Sequence, residues 1–258
     1  MFSEIYDLDP KSMQHAILVA YRGSISHGTY RPNTDPNSVD DIDVVGLVVP
    51  PDQYYYGLKE FGSRGTKEIK RNEWDVVLYE IRKALRMLGK GNPNIFSLLW
   101  LRTQDYIKTS EAGELLLENR DLFSSKIIFH SFVGYAHGQI HRMTHSPCKG
   151  YLGAKRKQLV EKFGWDCKNG AHAIRLLRMG IEFLLEGQLH VFRPDAEELV
   201  AIKRGEWSLE KVLEESNRLL TLAHEAYVKS TLPATVDWEK IDDLSIEIIK
   251  TWRNECSR

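Results

Sequence analysis

Three aspartates carry the most specific chemistry in this chain. Asp41 and Asp43 stand two apart at the entry to an apolar run, SerValAspAspIleAspValValGlyLeuVal, residues 38–48, so on a β-strand their side chains share one face. Two carboxylates so placed repel unless a cation lies between them. Hard divalent ions such as Mg²⁺ or Mn²⁺ take oxygen ligands from one or two carboxylates together with substrate phosphates. A third acid, Asp75, sits in GluTrpAspValValLeuTyr, a β-type run where an uncompensated carboxylate is costly to bury. A third ligand on a neighbouring strand accounts for it. Each acid also has a plainer reading: an Asp-x-Asp solvates a strand end or caps a turn, and a lone strand acid faces solvent from an edge. An EF-hand loop starting at Asp35 is excluded, because its fifth and sixth positions are Val39 and Asp40 rather than an oxygen ligand and a glycine.

Gly23 and Ser24 directly follow the apolar run IleLeuValAlaTyrArg. A small residue and a hydroxyl at a strand-to-helix turn let backbone N–H groups approach a polyphosphate. A GlySer dipeptide alone marks only a turn; its place, one loop ahead of the acidic pair, gives it meaning. Farther along, Lys168, His172 and Arg175 recur at spacings of four and three, so they project from one side of a helix. That cationic face suits a polyphosphate, and a solvated helix face has the same composition. His137, His141 and His145 recur every four residues, as zinc ligands on a helix can, but no Cys or acid stands at an obvious spacing and there is no HisGlu pair. The stripe is expected against Tyr135 or as a polar wall of a cleft. GlyTyrLeuGlyAlaLysArgLys, residues 150–157, is a small basic cluster that suits RNA phosphates or solvated surface alike.

The elements that must position these residues change character near residue 105. Before it, Ile17–Tyr21, Ile42–Val49 and Trp74–Tyr79 read as strands, rich in β-branched and aromatic residues. The segment 22–41, with Gly23, Gly28, Pro32 and Pro36, reads as a long polar loop. Asp9 and Pro10 predict the start of a short helix, with Asp9 as its N-cap. Ile81, Leu85 and Leu88 predict an amphipathic helix closed by Gly89, and GlyAsnProAsn at 91–94 predicts a turn. Beyond residue 110 helices are predicted near 110–119, 124–145, 151–163, 169–186, 207–230 and 238–253. In the fourth, Ile174, Leu177, Ile181, Leu184 and Leu185 form one apolar stripe, which places that helix at the centre of a helical bundle. No internal repeat or low-complexity segment is present.

The 258 residues, 42% hydrophobic and 28% charged, fit one large domain or two small ones and exclude disorder, collagen-like repeats and a fibrous coiled coil. Lys and Arg total 35 against 36 Asp and Glu, a net charge of -1, so no global field draws the chain onto nucleic acid or a membrane. A nucleic-acid partner needs a local basic patch. No stretch approaches the roughly 20 apolar residues of a membrane helix, and MetPheSerGluIleTyrAspLeuAspPro at the start lacks the basic and apolar regions of a secretory signal. A soluble cytoplasmic protein is expected. Cys148, Cys167 and Cys256 are odd in number and widely spaced, fit neither a disulfide framework nor a CxxC zinc site, and are expected to stay reduced.

Strand, GlySer, loop, Asp-x-Asp strand and acid-bearing strand, in that order, resemble the nucleotidyltransferases of the DNA polymerase beta superfamily. More specifically, AlaTyrArgGlySer, SerValAspAspIleAspValValGly, LeuTyrGluIleArgLysAlaLeuArgMetLeuGlyLysGlyAsnProAsn and PheGlyTrpAspCysLysAsnGlyAlaHisAlaIleArgLeuLeu resemble the predicted nucleotidyltransferases of bacteria and phages, including the RNA-ligase-associated group. The matches span roughly residues 17–190. One departure is the sixteen residues between Ser24 and Asp41, longer than is usual in the superfamily, which ArgProAsnThrAspProAsn accounts for; Ser26 to Tyr30 are left without a role.

The resemblance implies an α+β fold: a nucleotidyltransferase-type mixed sheet with flanking helices in a palm-like domain at 1–108, then a helical domain at 109–258 closing the nucleotide cleft. It implies that Asp41 and Asp43 hold two Mg²⁺ (or Mn²⁺) ions, and that Asp75 completes the second site and accepts a hydroxyl proton. Gly23 and Ser24 would hold the β- and γ-phosphates, with Ser38, Lys168, His172 and Arg175 joining in nucleotide binding. The implied activity moves a nucleoside monophosphate from an NTP such as ATP to a hydroxyl acceptor, releasing pyrophosphate. RNA, especially a tRNA-like 3′ end, leads as acceptor, and a small molecule or a protein side chain would use the same carboxylates. The other classes are a non-catalytic nucleotide-sensing or antitoxin-like partner-binding module, and a helical scaffold in which the three acids could be replaced by Asn without consequence.

Overall fold

The computed structural model describes residues 2–31, 41–145 and 154–258. Ser38, the added loop residues around it, Cys148 and the start of the 150–157 basic cluster lie outside them. Two short helices, α1 (Phe2–Tyr6) and α2 (Pro10–Met13), lead into β1 (Ala16–Tyr21), and a single helical turn, α3 (Gly23–Ser26), follows it. Then come β2 (Ile42–Val48), β3 (Thr66–Arg71), β4 (Trp74–Glu80), α4 (Ile81–Gly89), α5 (Pro93–Phe96), β5 (Tyr106–Thr109) and α6 (Glu111–Glu118). The rest is helical: α7 (Ile127–His145), α8 (Ala154–Phe163), α9 (Cys167–Glu186), α10 (Ala196–Lys203), α11 (Leu209–Lys229) and α12 (Trp238–Glu255). The fold is α+β, a mixed sheet in the first half and helices in the second, and no described helix is long and apolar enough to cross a membrane.

The sheet runs β3-β4-β2-β1-β5. β1 pairs antiparallel with β2 and β5, β3 antiparallel with β4, and β2 parallel with β4. Alternation then sorts the strand residues. Val45 and Leu47 of β2 join Val77 and Tyr79 of β4 in the large core shared with the helices, while Val44, Val48, Val76 and Leu78 face the other way, onto Ile5 and Met13. Asp43 and Asp75 have the parity of the helix-facing set, so the fold points them at the second half of the chain.

The helices begin where side chains can satisfy orphan backbone donors. Glu80 accepts from the N–H groups of Arg82 and Lys83, Asp166 from Asn169, Ser208 from Lys211, and Asp237 from Glu239 and Lys240. α9 packs against α7, α10 and α11, the central place its apolar stripe predicted, although Leu185 at the end of that stripe is 55% exposed.

Several details differ from the sequence reading. β3 and β5 carry few apolar residues and α10 is short, so none was anticipated. Asp9 occupies the N-cap of α2 without capping it; its carboxylate pairs with Lys67 instead. Gly89 does not close α4: it is the last helical residue, where a Cβ would meet the Trp238 ring at 2.6 Å, and Gly91, at φ +62°, takes the left-handed position.

The halves share their core. Phe96, Trp100, Phe132 and Phe183 form an aromatic cluster, with Phe96 to Phe183 centroids 5.2 Å apart and Phe96 to Phe132 6.2 Å apart, both edge-on. α12 returns to the first half and packs on α4 and α6. Its Arg253 reaches the Pro50 carbonyl (2.7 Å) and Asp52 (2.8 Å), and Glu255 accepts from the Ala112 N–H at 2.7 Å, at the start of α6. Phe183 is fully buried, so Phe183→Ala is expected to lower unfolding stability by about 3–5 kcal/mol; a midpoint in urea within error of the parent would contradict a shared core.

Candidate functional site

The turn after β1 is shaped by the acid it faces. Gly23 has φ +65°, and a Cβ there would collide with the Asp43 carboxylate, so only glycine fits both the conformation and the space. Next to it, the Arg22 N–H donates to the Asp43 carbonyl at 2.9 Å, tying the end of β1 to β2. Ser24 Oγ is buried and has no hydrogen-bond partner, an arrangement that costs free energy unless a ligand supplies the missing bond.

Asp43 lies directly opposite Asp75 in the parallel register. Two cations answer them. Arg22 Nη2 stands 3.9 Å from Asp43 and 3.7 Å from Asp75, too far to hydrogen-bond either, and its Nε is buried without a partner. Lys70, across the antiparallel β3 pairing, reaches Asp75 at 3.0 Å from an exposed position. Burial pushes the Asp43 carboxyl up to about 6; Arg22 and Lys168 pull it down, while Asp75 and Asp41 push it farther up. Asp41 is exposed, just ahead of β2.

A cavity of about 180 Å³ opens on Asp43 and gathers residues from both halves. Gly23, Ser24 and Asp43 line one side; Lys168, His172 and Arg175 of α9 line the other. Six of the residues singled out from the sequence therefore meet in one place. Asp75 stands beside it through Asp43, Asp41 is not among its lining residues, and Ser38 is outside the described residues. The cavity also holds His27, Thr29 and Lys203, which the sequence reading left without a role, as it did Arg22 and Lys70. His27 and Thr29 follow the GlySer turn closely, the one local signal that could have found them; Lys203 arrives on α10, far along the chain. His137 and His141 are exposed on α7 and line neither this cavity nor the one beside it, and Tyr135 uses its hydroxyl to accept from Asn92 at 3.0 Å.

The segment after β1 is fastened to the helical half. His27 Nδ1 donates to the Val191 carbonyl at 3.0 Å, and the Arg193 N–H donates to the His27 carbonyl at 3.2 Å. Lys203 Nζ donates to the Thr29 carbonyl at 3.3 Å, and Arg31 pairs with Glu197 at 2.7 Å and 2.9 Å. The strap on the other side is held by a charge network. Buried Arg193 binds Glu182 and Asp195, and Arg178 binds Asp195, Glu198 and Glu215. Arg175 is treated differently: it donates to Met179 Sδ and makes no carboxylate ion pair among the described residues. Burial and then Arg193 press its guanidinium down to about 9, leaving it charged at neutral pH.

Among the described residues no three His, Cys, Asp or Glu side chains enclose a ready-made metal site. The oxygen-only pair Asp43 and Asp75 nonetheless suits a hard divalent ion, which takes one or two carboxylates and completes its shell with substrate phosphates. The unpartnered Ser24 Oγ, the Gly23 turn and the cations Lys168, Arg175 and Lys203 suit those phosphates. A polyphosphate anchored here would reach the paired carboxylates, the arrangement that phosphoryl or nucleotidyl transfer requires.

Burial, then Arg175, holds His27 well below the usual histidine range, with His172 and Arg193 adding to this and only the Val191 carbonyl opposing it. The unfolded chain therefore takes up that proton first as pH falls: the stabilisation is complete above about pH 6.5 and is lost below it, at up to about 1.4 kcal/mol per pH unit. Thermal melts from pH 7.5 to 5 should show this loss in the parent and a flatter profile in His27→Gln; equal slopes would exclude a buried neutral His27.

The RlaP family, described as the RNA repair pathway DNA polymerase beta family, matches residues 11–247. No curated protein matches the chain.

Proposed function

Because the chain belongs to the RNA repair pathway DNA polymerase beta family, we propose that it is a metal-dependent nucleotidyltransferase that moves a nucleoside monophosphate from an NTP to a hydroxyl of RNA, including a tRNA-like 3′ end, and releases pyrophosphate. The observation that carries the reading is the cavity in which the GlySer turn and Asp43 face the cations of α9. The family's description supports RNA as the acceptor. In this reading residues 109–258 close over a nucleotide bound to 1–108, and the thiols of Cys167 and Cys256, which are free, suit a reducing, cytoplasmic setting.

Each residue has a distinct task. The Gly23 backbone and Ser24 Oγ bind phosphate oxygens from one side, with Ser38 assigned to the same substrate, and Lys168, His172 and Arg175 bind them from the other. Asp43 and Asp75, assisted by Asp41, hold Mg²⁺ or Mn²⁺, which when bound neutralises charge on the phosphates and acidifies the attacking hydroxyl. Asp75 takes the proton of that hydroxyl, and the cationic wall stabilises the departing pyrophosphate. Arg22 keeps the two acids from repelling when no divalent ion is present.

Incubation with each α-labelled NTP, Mg²⁺ or Mn²⁺ and cellular RNA should put label into RNA, with stoichiometric pyrophosphate release. Asp43→Asn and Asp75→Asn should each lower the rate at least about a hundredfold, the scale of losing one group that stabilises developing charge, while melting cooperatively. Label on a small molecule or a protein would change the acceptor; NTP binding with neither label transfer nor pyrophosphate release would make the protein a nucleotide-sensing or antitoxin-like binding module instead.

A further inference from the structure

A second cavity, of about 200 Å³, meets the first at Asp43. The two share Gly23, His27, Asp43, His172 and Arg175, so they form one trough bent over the acid, and together they reach the lower end of ligand-pocket volumes, about 300 Å³. Their chemistry differs. The first end carries Lys168, Lys203 and Ser24. The far end has Tyr21, Arg22 and Ser26 toward β1, Val45, Pro93, Leu98 and Leu101 as apolar walls, and Asn94 and Ser97 as neutral polar groups.

Those two polar groups are available. Asn94 donates its amide to the Tyr135 hydroxyl at 3.4 Å and its backbone N–H to Asn92 Oδ1 at 3.0 Å, but its Oδ1 accepts nothing among the described residues. Ser97 Oγ has no hydrogen-bond partner among them. Both stand on a segment that is stiff for local reasons: Asn92 caps α5, Pro93 sets its first turn, and Phe96 is locked into the aromatic cluster. A slot with apolar walls and a few rigidly placed polar groups recognises a flat heterocycle by its faces and its edge.

We infer that this second cavity binds the base of the incoming NTP, and that Asn94 and Ser97 read its hydrogen-bonding edge, making them specificity-determining residues. The inference rests on the nucleotidyl-transfer reading above. A nucleoside at the end of an RNA acceptor has the same chemistry, but continuity favours the NTP: the slot joins the polyphosphate end through five shared residues, as one molecule spanning both requires.

Calorimetric titration with inorganic tripolyphosphate and with each NTP separates the possibilities, because tripolyphosphate fills only the first cavity. The parent should bind at least one NTP about tenfold or more tighter than tripolyphosphate. Ser97→Trp, which fills the slot from a half-buried position, should erase that margin and leave tripolyphosphate affinity within about twofold, and the retained tripolyphosphate binding reports that the variant is folded. Asn94→Ala, at an exposed position, should narrow the preference among the four bases. Equal affinity of the parent for NTP and tripolyphosphate, or an unchanged margin in Ser97→Trp, would overturn the base slot while leaving the polyphosphate site standing. A rise in KM for the RNA acceptor alone would give the slot to the acceptor and overturn the inference too. Failure of the parent to bind either ligand would overturn the nucleotidyl-transfer reading itself.

Discussion

Like charges on adjacent strands are the constraint from which the rest of this molecule can be understood. Asp43 and Asp75 face each other in the parallel β2 and β4 register, and unit charges one strand spacing apart, about 4.8 Å, repel by about 3.5 kcal/mol at an effective dielectric of about 20. The surroundings answer that repulsion from several directions. Arg22 leans toward both acids without bonding either, Lys70 takes the solvent side, and burial keeps Asp43 poised near 6. Such compensation is partial by construction: the carboxylates keep accepting capacity that a harder, more compact cation would use.

A site divided between a sheet and a helix bundle works only if the two hold a fixed relation. Three kinds of interaction supply it here. The aromatic cluster around Phe183 joins the segment after α4 to α7 and α9 through packing. His27, Thr29 and Arg31 fasten the turn after β1 to residues 191–203 through backbone-directed bonds and one ion pair. The Arg193 and Arg178 network then stiffens the strap that receives them, and because Arg193 is buried, deleting both of its carboxylate partners would strand its charge.

Asp43, the glycine turn and the α9 cations meet at the cavity and could be read from residue type at short spacing: the entry to a strand, adjacency at a turn, four and three apart on a helix; Asp41, read as sharing a strand face with Asp43, instead lies exposed ahead of β2. The longer helices lie within a few residues of their predicted bounds, and in the structure Ser110, Asp166, Ser208 and Asp237 cap four of them. What escaped depends on long-range contacts. β3 stabilises β4 from an edge with a sequence, ThrLysGluIleLysArg, that is almost wholly polar. Arg22 stands inside the AlaTyrArgGlySer match without a role assigned to it, while His27 and Lys203 belong to no motif, and their place at the cavity follows from how the loop after β1 meets α9 and α10. Gly89 shows the limit most clearly: its type suggested a helix cap, but the contact that demands glycine there comes from Trp238.

The return of α12 to the first half has a consequence for how the protein is made. Residues 16–118 can form their strands as they leave the ribosome, yet the N–H at the start of α6 and the backbone at Pro50 find their side-chain partners only on Glu255 and Arg253. The apolar surface of α4 that meets Trp238 is likewise uncovered until α12 is translated. Those groups and that surface therefore stay uncovered in a nascent chain until α12 has been made.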